Sequence, residues 1–261
     1  DEIIPICNVG YDIYEEVISF MNTIKNVSTK GIKKVKHKNL RCNIIYTNEY
    51  GLQYDEGNET KIKFSQVSNY LINCKFIIVS PMTGFYFDLP FFKKLRKSTT
   101  CPIYFDYHIL ALGKDILGNR FIRRRKNWFD WCINADFLQL NKFEAELLAG
   151  QQLITEKDFL QFSSLFLESN IKAISVTLGE KGAFVCIKHN QSFLIKYLSP
   201  LIVQEIDSTG CGDTFASAFV SSYLKSKNII DSYEFANKIA GLKTTFHGFD
   251  EMQKIISNFG L

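Results

Sequence analysis

The sequence predicts an α/β fold: a mostly parallel central sheet with helices on both faces, plus a small β-rich lid. Three observations point there. Short apolar runs alternate with longer amphipathic ones, a rhythm that implies right-handed crossovers and a sheet covered on both sides. One stretch, at about 39–64, breaks the rhythm with strand-like runs and no helix between them. Near residue 210, a strand-like approach ends in two glycines one residue apart and opens directly into an amphipathic run.

Taken in order, the lid comes first. Its strand-like pieces are R-C-N-I-I-Y-T from Arg41 and G-L-Q-Y from Gly51. Cys74–Ser80, Pro102–Asp106, Ala135–Leu140 and Ala173–Leu178 then read as buried strands, each short and bounded by polar or turn residues. Helices are expected between them over Tyr86–Lys97, Arg120–Ile133, Lys142–Ala149 and Glu156–Ser169. Ala183–Lys188 and Ser192–Tyr197, joined by His189-Asn190-Gln191, read as a hairpin at the sheet edge. Three helices close the chain: Asp213–Lys225, Ser232–Phe246 and Asp250–Asn258. No repeat or linker interrupts residues 1–261, so a single domain carrying the lid is the expectation.

Composition narrows the function classes. Hydrophobic residues make up 46% of the 261, with 23 Phe, enough for a sizeable core. No apolar run approaches the roughly 20 residues that span a bilayer. The net charge of +4 is spread along the chain, with local clusters at Lys30–Arg41 and Arg123–Lys126. Without aromatic residues interleaved on one face, these clusters read as a solvated loop and a solvated helix face rather than a nucleic-acid footprint. The seven cysteines are scattered and form no C-x-x-C pair, which fits reduced thiols in a cytoplasmic protein. His37, His108, His189 and His247 lack ligand spacing and read as structural. There is no G-x-x-x-x-G-K-[ST] string, so the phosphate cradle of that type is absent.

The chemistry concentrates at Asp207-Ser208-Thr209-Gly210-Cys211-Gly212-Asp213. From Asp213 onward, Phe215, Ala216, Phe219, Val220, Tyr223 and Leu224 make one apolar stripe of a helix. Glycines let the backbone approach a ligand, and a helix amino terminus offers unpaired N–H groups and a positive dipole end. By itself the pattern is an anion site, with Asp213 equally able to serve as an N-cap. Asn141 and Glu144, three apart at a helix start, can face one site or form a capping box. Asp106, ending a central strand, faces the general ligand zone of an open α/β sheet.

The string D-S-T-G-C-G-D-T-F resembles the D-T-x-G-x-G-D-x-F signature of the ribokinase-like (pfkB) carbohydrate kinases. Other segments follow in that family's order. Leu140-Asn141-Lys142-Phe143-Glu144 resembles its N-x-x-E motif, and Val176–Ala183 its V-T-x-G-x-x-G segment. Val9-Gly10-Tyr11-Asp12 resembles an early V-G-x-D stretch, and Ala236–Gly248 the carboxy-terminal helix with its following glycine. The resemblance implies an ATP-dependent kinase acting on a sugar or nucleoside hydroxyl, with Asp213 as base and the N–H groups of Gly210, Cys211 and Gly212 as anion hole. It implies Asn141, Thr177, Gly179, Gly182 and Asn237 around the nucleotide and Glu144 near Mg²⁺. Asp207 and Thr209 match positions where many relatives bind a monovalent cation such as K⁺. A homodimer through the lid is compatible with it.

The sequence also departs from the family. It has no Gly-Gly pair, and its first residues already resemble a point some way into the family pattern, so the usual amino-terminal segment is expected to be absent. That loss falls on the acceptor side. A non-catalytic nucleotide- or sugar-binding member of the same fold is the alternative.

Overall fold

A computed structural model describes residues 2–45, 52–82 and 86–248. In chain order the strands are β1 (Cys7–Gly10), β2 (Ile32–Val35), β3 (Arg41–Ile45), β4 (Leu52–Glu56), β5 (Ile77–Val79) and β6 (Ile103–Asp106). They continue with β7 (Leu112–Lys114), β8 (Arg120–Ile122), β9 (Phe137–Asn141), β10 (Ala173–Thr177), β11 (Ala183–His189) and β12 (Ser192–Leu198). The α-helices are α1 (Tyr14–Thr23), α2 (Leu89–Lys97), α3 (Trp128–Cys132), α4 (Lys142–Ala149), α5 (Glu156–Ser164), α6 (Cys211–Ser226) and α7 (Ile229–Lys243). Among the described residues, no helix is long and apolar enough to cross a membrane.

The chain divides into two compact units: Asp1–Cys74, Pro81–Thr100 and Ile109–Lys126 in the first, and Lys75–Ser80, Cys101–His108 and Asn127–Leu261 in the second. In the first unit, β1 and β2 pair in parallel across α1. The V-G-Y-D stretch is a clamp here. Gly10 N donates to Asn39 Oδ1 at 2.9 Å, and Asn39 N donates to Asp12 Oδ1 at 2.7 Å. The lid strands β3 and β4 pair antiparallel, as do β7 and β8. A bridge between Tyr54 and Asn119 links the two pairs. The buried Asp55 carboxylate on β4 takes Arg120 at 2.7 Å and Lys114 at 3.2 Å, one from each strand of the second pair.

In the second unit, six strands form one sheet in the order β12-β11-β10-β9-β6-β5. β5, β6, β9 and β10 are parallel; β11 and β12 add an antiparallel hairpin at one edge. Strands buried on both faces must be apolar throughout, and β6, I-Y-F-D, is buried along its whole length. Alternate residues face opposite helices. Ala183 and Val185 of β11 join the core with Phe215 and Phe219 of α6 and Tyr233 of α7. Phe184 between them meets Phe159 of α5, with ring centroids 4.5 Å apart.

The α/β class, the parallel strands and the edge hairpin are as the sequence predicts, and α4 begins and ends on the expected residues. The helix expected over Arg120–Ile133 forms only over its last part, as α3 (Trp128–Cys132). Arg120–Ile122 instead pairs with β7, because Asp115 Oδ1 accepts from the N–H groups of Leu117 and Asn119 and closes a tight turn. Arg123–Lys126 is therefore no helix face: Arg123 N donates to Ala111 O, and Arg125 Nε to Leu110 O. Helix α7 starts earlier than expected, where the Asn228 side chain caps Ile230 and Asp231. The helix expected over Asp250–Asn258 lies outside the described residues.

Candidate active site

The parallel strands of the second unit end along a common edge, and their register sets which residues meet there. Asp106 pairs with Gln139, and Thr177 with Asn141. Along β6 and β9, Tyr104, Asp106, Phe137 and Gln139 fall on one face by the alternation of a strand. That face is covered by α6, since Phe219 lies 5.2 Å from the Tyr104 ring and 4.9 Å from the Phe137 ring. Gln139 is buried and makes the link upward: it accepts from Tyr104 Oη at 2.7 Å and donates through Nε2 to Gly212 O at 3.2 Å.

Helix α6 starts at Gly210, which has φ +80° and gives no side-chain cap. A residue with a Cβ is strained there. Cys211 N turns back to Ser208 O at 3.1 Å, and Thr214 N donates to Gly210 O at 2.9 Å. Gly212 and Asp213 then occupy the first turn, where an α-helix has no carbonyl of its own to offer their N–H groups. The Asp213 carboxylate stands at this positive end, and its Oδ1 accepts from Ser80 Oγ, just past β5, at 3.2 Å. Burial pushes the half-buried Cys211 thiol above its ordinary range, so this cysteine is no ready thiolate.

At the start of α4, the buried Glu144 closes a capping box with Asn141. Its Oε2 accepts from Asn141 N at 2.8 Å and its Oε1 from Asn141 Nδ2 at 2.7 Å, while Asn141 Oδ1 accepts from Glu144 N at 2.9 Å. His108 Nδ1 also reaches Glu144 Oε1 at 3.3 Å, and that bond raises the imidazole above its usual value. Asp106 is buried close by. Desolvation first, then the Glu144 charge, lifts its carboxyl to about 7. Among the described residues, no three His, Cys, Asp or Glu side chains converge as a ligand cage.

Asp207 organises the turn leading into α6. Its Oδ1 accepts from Thr209 N at 2.9 Å and its Oδ2 from Gly248 N at 3.3 Å. The Thr209 backbone N–H and then its hydroxyl hold the Asp207 carboxyl down to about 2. Lys243 of α7, fully buried, donates to Asp207 O at 3.1 Å.

The remaining expected positions lie along the same unit. Thr177, at the end of β10, donates to Leu140 O at 3.5 Å. A Cβ on Gly179 would meet nothing within 4 Å, so this turn opens into space. Gly182 is required by packing: with φ +81°, a Cβ there would fall 2.0 Å from Leu198 O. Asn237 of α7 donates to Ser199 O at 2.7 Å and lines a hollow of about 400 Å³ with Tyr197, Pro200, Glu234 and Lys238.

Sequence reasoning did not single out Ser80, Gln139 or Lys243, and it read His108 as structural. Ser80 and Gln139 are single polar residues ending or lining apolar strands, a signal visible in sequence but without motif context. Lys243 reads as an ordinary last-turn lysine until α7 is placed against the Asp207 turn. His108 meets Glu144 only through the folding of β6 beside β9.

Comparison with known proteins bears on this unit above all. Residues 127–255 match the family described as pfkB family carbohydrate kinase. The chain is similar to a ribokinase of Staphylococcus aureus, 38% identical over 114 residues, which are 43% of this chain and 36% of that protein. It is also similar to a deoxyribokinase of Salmonella typhi, 24% identical over 157 residues, 59% of this chain and 50% of the relative. These matches span about a third to a half of the curated relatives' length. Among solved structures, the ribokinase of Thermotoga maritima superposes with a TM-score of 0.72 at 21% identity, covering 94% of this chain and 75% of that one. A Burkholderia thailandensis nucleoside kinase in complex with inosine gives 0.70 at 15% identity, covering 98% and 82%; at such identities the likeness shows the fold. The D-S-T-G-C-G-D-T-F turn lies inside the matched segment, so residues 127–255 of this chain are similar to the pfkB family of carbohydrate kinases.

Proposed function

We propose that this chain transfers the γ-phosphate of ATP to a hydroxyl of a sugar or sugar-like acceptor, with Asp213 as the base. One observation carries the reading: a carboxylate and an uncapped, glycine-started helix terminus share one place, at Gly210–Asp213. Phosphoryl transfer asks mainly for positioning and charge stabilisation, and this arrangement supplies both. An acceptor hydroxyl gives its proton to the Asp213 carboxylate as its oxygen attacks phosphorus. Ser80 Oγ, donating to Oδ1, leaves Oδ2 as the oxygen turned to the acceptor. The N–H groups of Gly212 and Asp213, in a turn shaped by Gly210 and Cys211, receive the negative charge of the transferring group. Such preorganised donors are worth about 3 kcal/mol each. Gln139, bonded to Gly212 O, keeps that turn seated on the sheet.

Asn141, Thr177, Gly179 and Asn237 are proposed for the nucleotide, with Gly182 holding the strand crossing that aims Gly179. The buried Asp106, raised by desolvation and then by the neighbouring Glu144 charge, would fit a divalent cation together with Glu144, since two adjacent carboxylates gain from a positive charge between them. Glu144 already accepts from Asn141 on both oxygens, so it would hold Mg²⁺ through water rather than directly, which this ion's tight hydration favours. The chemistry that Mg²⁺ held there would supply is positive charge to offset the negative charge developing on the transferring phosphoryl group.

The test is ADP formation over a panel of pentoses, hexoses and nucleosides, run beside titration of ATP binding. Turnover lost in Asp213→Asn with ATP binding retained supports the proposal. ATP binding without turnover on any acceptor overturns it in favour of a non-catalytic binding protein. Pyrophosphate is tested beside ATP as donor, with orthophosphate release as the readout, because a pyrophosphate-dependent kinase in the ribokinase family superposes with a TM-score of 0.74, covering 95% of this chain and 83% of that one.

A further inference from the structure

We propose that the ammonium of Lys243 is a built-in cation for the Asp207–Asp213 turn, standing where a monovalent metal ion would otherwise be needed. For turnover, this rests on the kinase reading above. The geometry is that of a cation site already filled. Lys243 Nζ donates to Asp207 O at 3.1 Å and to Phe246 O at 3.4 Å, and lies 3.8 Å from Asp207 Oδ2. It also sits 5.3 Å from the centroid of the Phe246 ring. Two main-chain carbonyls, a carboxylate and an aromatic face thus converge on one positive charge that has no exposure to solvent.

Burying an ammonium costs several kcal/mol unless the surroundings compensate it. Here the compensation is also the structural role. The two carbonyls come from different segments, one opening the turn before α6 and one following α7. The same two segments are joined by Ile206 N and Asp207 N donating to Thr244 O at 2.7 and 3.0 Å, and by Gly248 N donating to Asp207 Oδ2. Asp207 in turn holds Thr209 N, directly before Gly210. A cation at this point therefore ties the start of α6 to the end of α7 and fixes the slope from which Gly212 and Asp213 present their N–H groups. A free ion would do this only when bound. A lysine anchored in a helix does it permanently, and an ammonium is close to K⁺ in size and charge.

Two consequences can be measured. The wild-type protein should melt at the same temperature, and turn over within about twofold, in potassium chloride and in tetramethylammonium chloride of equal ionic strength. Lys243→Ala opens the position while leaving Asp207 O, Phe246 O and the Asp207 carboxylate in place. Its melting temperature and its ATP binding should fall in tetramethylammonium and recover in K⁺ or NH₄⁺, but not in Li⁺, which is too small for the span. Turnover should fall at least tenfold and recover with the same ions. The melting and ATP-binding arms need no turnover, so they decide this inference even if the chain proves not to be a kinase. Wild-type protein that is activated or stabilised severalfold by K⁺ overturns it, with no variant required. So does a Lys243→Ala loss that no ion reverses. If the alanine variant does not fold, Lys243→Met replaces it: folded and inert to K⁺, it supports the tether only if Lys243→Arg restores ion-independent binding, and failure of that rescue counts against it.

Discussion

Two helices leave the same edge of the sheet and begin in opposite ways. Helix α4 closes its own amino terminus: Asn141 and Glu144 exchange hydrogen bonds in a capping box, and the carboxylate there is buried and spoken for. Helix α6 starts on a left-handed glycine with no side-chain cap, and its first-turn carboxylate, Asp213, takes a single hydroxyl at 3.2 Å. The difference teaches where an anion can be received. A helix end whose donors are satisfied by its own side chains is a structural joint; one left open by glycine keeps its N–H groups and dipole for a ligand. On this view the N-x-x-E segment is first a structural joint, and its metal-side role is the part that the proposal adds.

The largest expected effect is at the open end. Asp213→Asn should lower kcat by about 10²–10⁴-fold, the range for a lost general base, while the Kd for ATP by titration changes little. A comparable fall in ATP affinity would move Asp213 from base to nucleotide ligand and break the contrast. Next, Gly210→Val puts a β-branched residue at φ +80° and should cost about 2 kcal/mol, read as a lower urea midpoint, with turnover falling as the helix start is displaced. Unchanged stability would mean that the turn relaxes freely and is not a fixed anion seat.

At the closed end the expectation reverses. Asn141→Ala should lose about 1 kcal/mol of stability from the missing cap, seen without any ligand. Loss of ATP affinity with no change in stability would show instead that Asn141 belongs to the nucleotide and that α4 is not self-sufficient. The smallest effect is pH-dependent. Asp106 has a folded value raised to about 7, above its unfolded one, so the folded state holds a proton that the unfolded state has released. Its contribution to stability is therefore present at low pH and is lost as pH rises towards 7. His108, also raised, adds a loss of the same sign as pH passes its folded value. Asp106→Asn should shrink the decline in unfolding free energy from urea titrations between pH 5 and pH 8, by an amount of order 1 kcal/mol. Asp207 does not interfere, because its lowered value places its own loss of stability below pH 4. An equal decline in the variant would assign the slope to His108 alone.

Much of the second unit was legible because its signals are local. Strands such as I-Y-F-D and F-L-Q-L are apolar runs of the length a doubly covered sheet requires, and α4 carries its start signal in Asn141 and its stop in Gly150, which has φ +75°. The failures occurred where tertiary partners outweighed local pattern. Arg120–Ile133 has helical spacing, yet its first residues go to β7 and to the buried Asp55, an ion pair that no window of sequence displays. Helix α1 and the β1–β2 pair were not anticipated either, since short strands whose partners lie about 25 residues away carry little periodic signal.

For the site, the sequence by itself determined the residue types and their order: a glycine start, a first-turn aspartate, an Asn–Glu box and an apolar stripe that must lie on a sheet. These follow from backbone and helix physics within a few residues of each other. Only the tertiary structure decided which distant groups share the place. It set Ser80 against Asp213, Gln139 beneath Gly212, Asp106 and His108 beside Glu144, and the Lys243 ammonium inside the Asp207 turn. Those meetings depend on strand register and helix docking, which hydrophobic burial fixes across the whole unit and no single segment encodes.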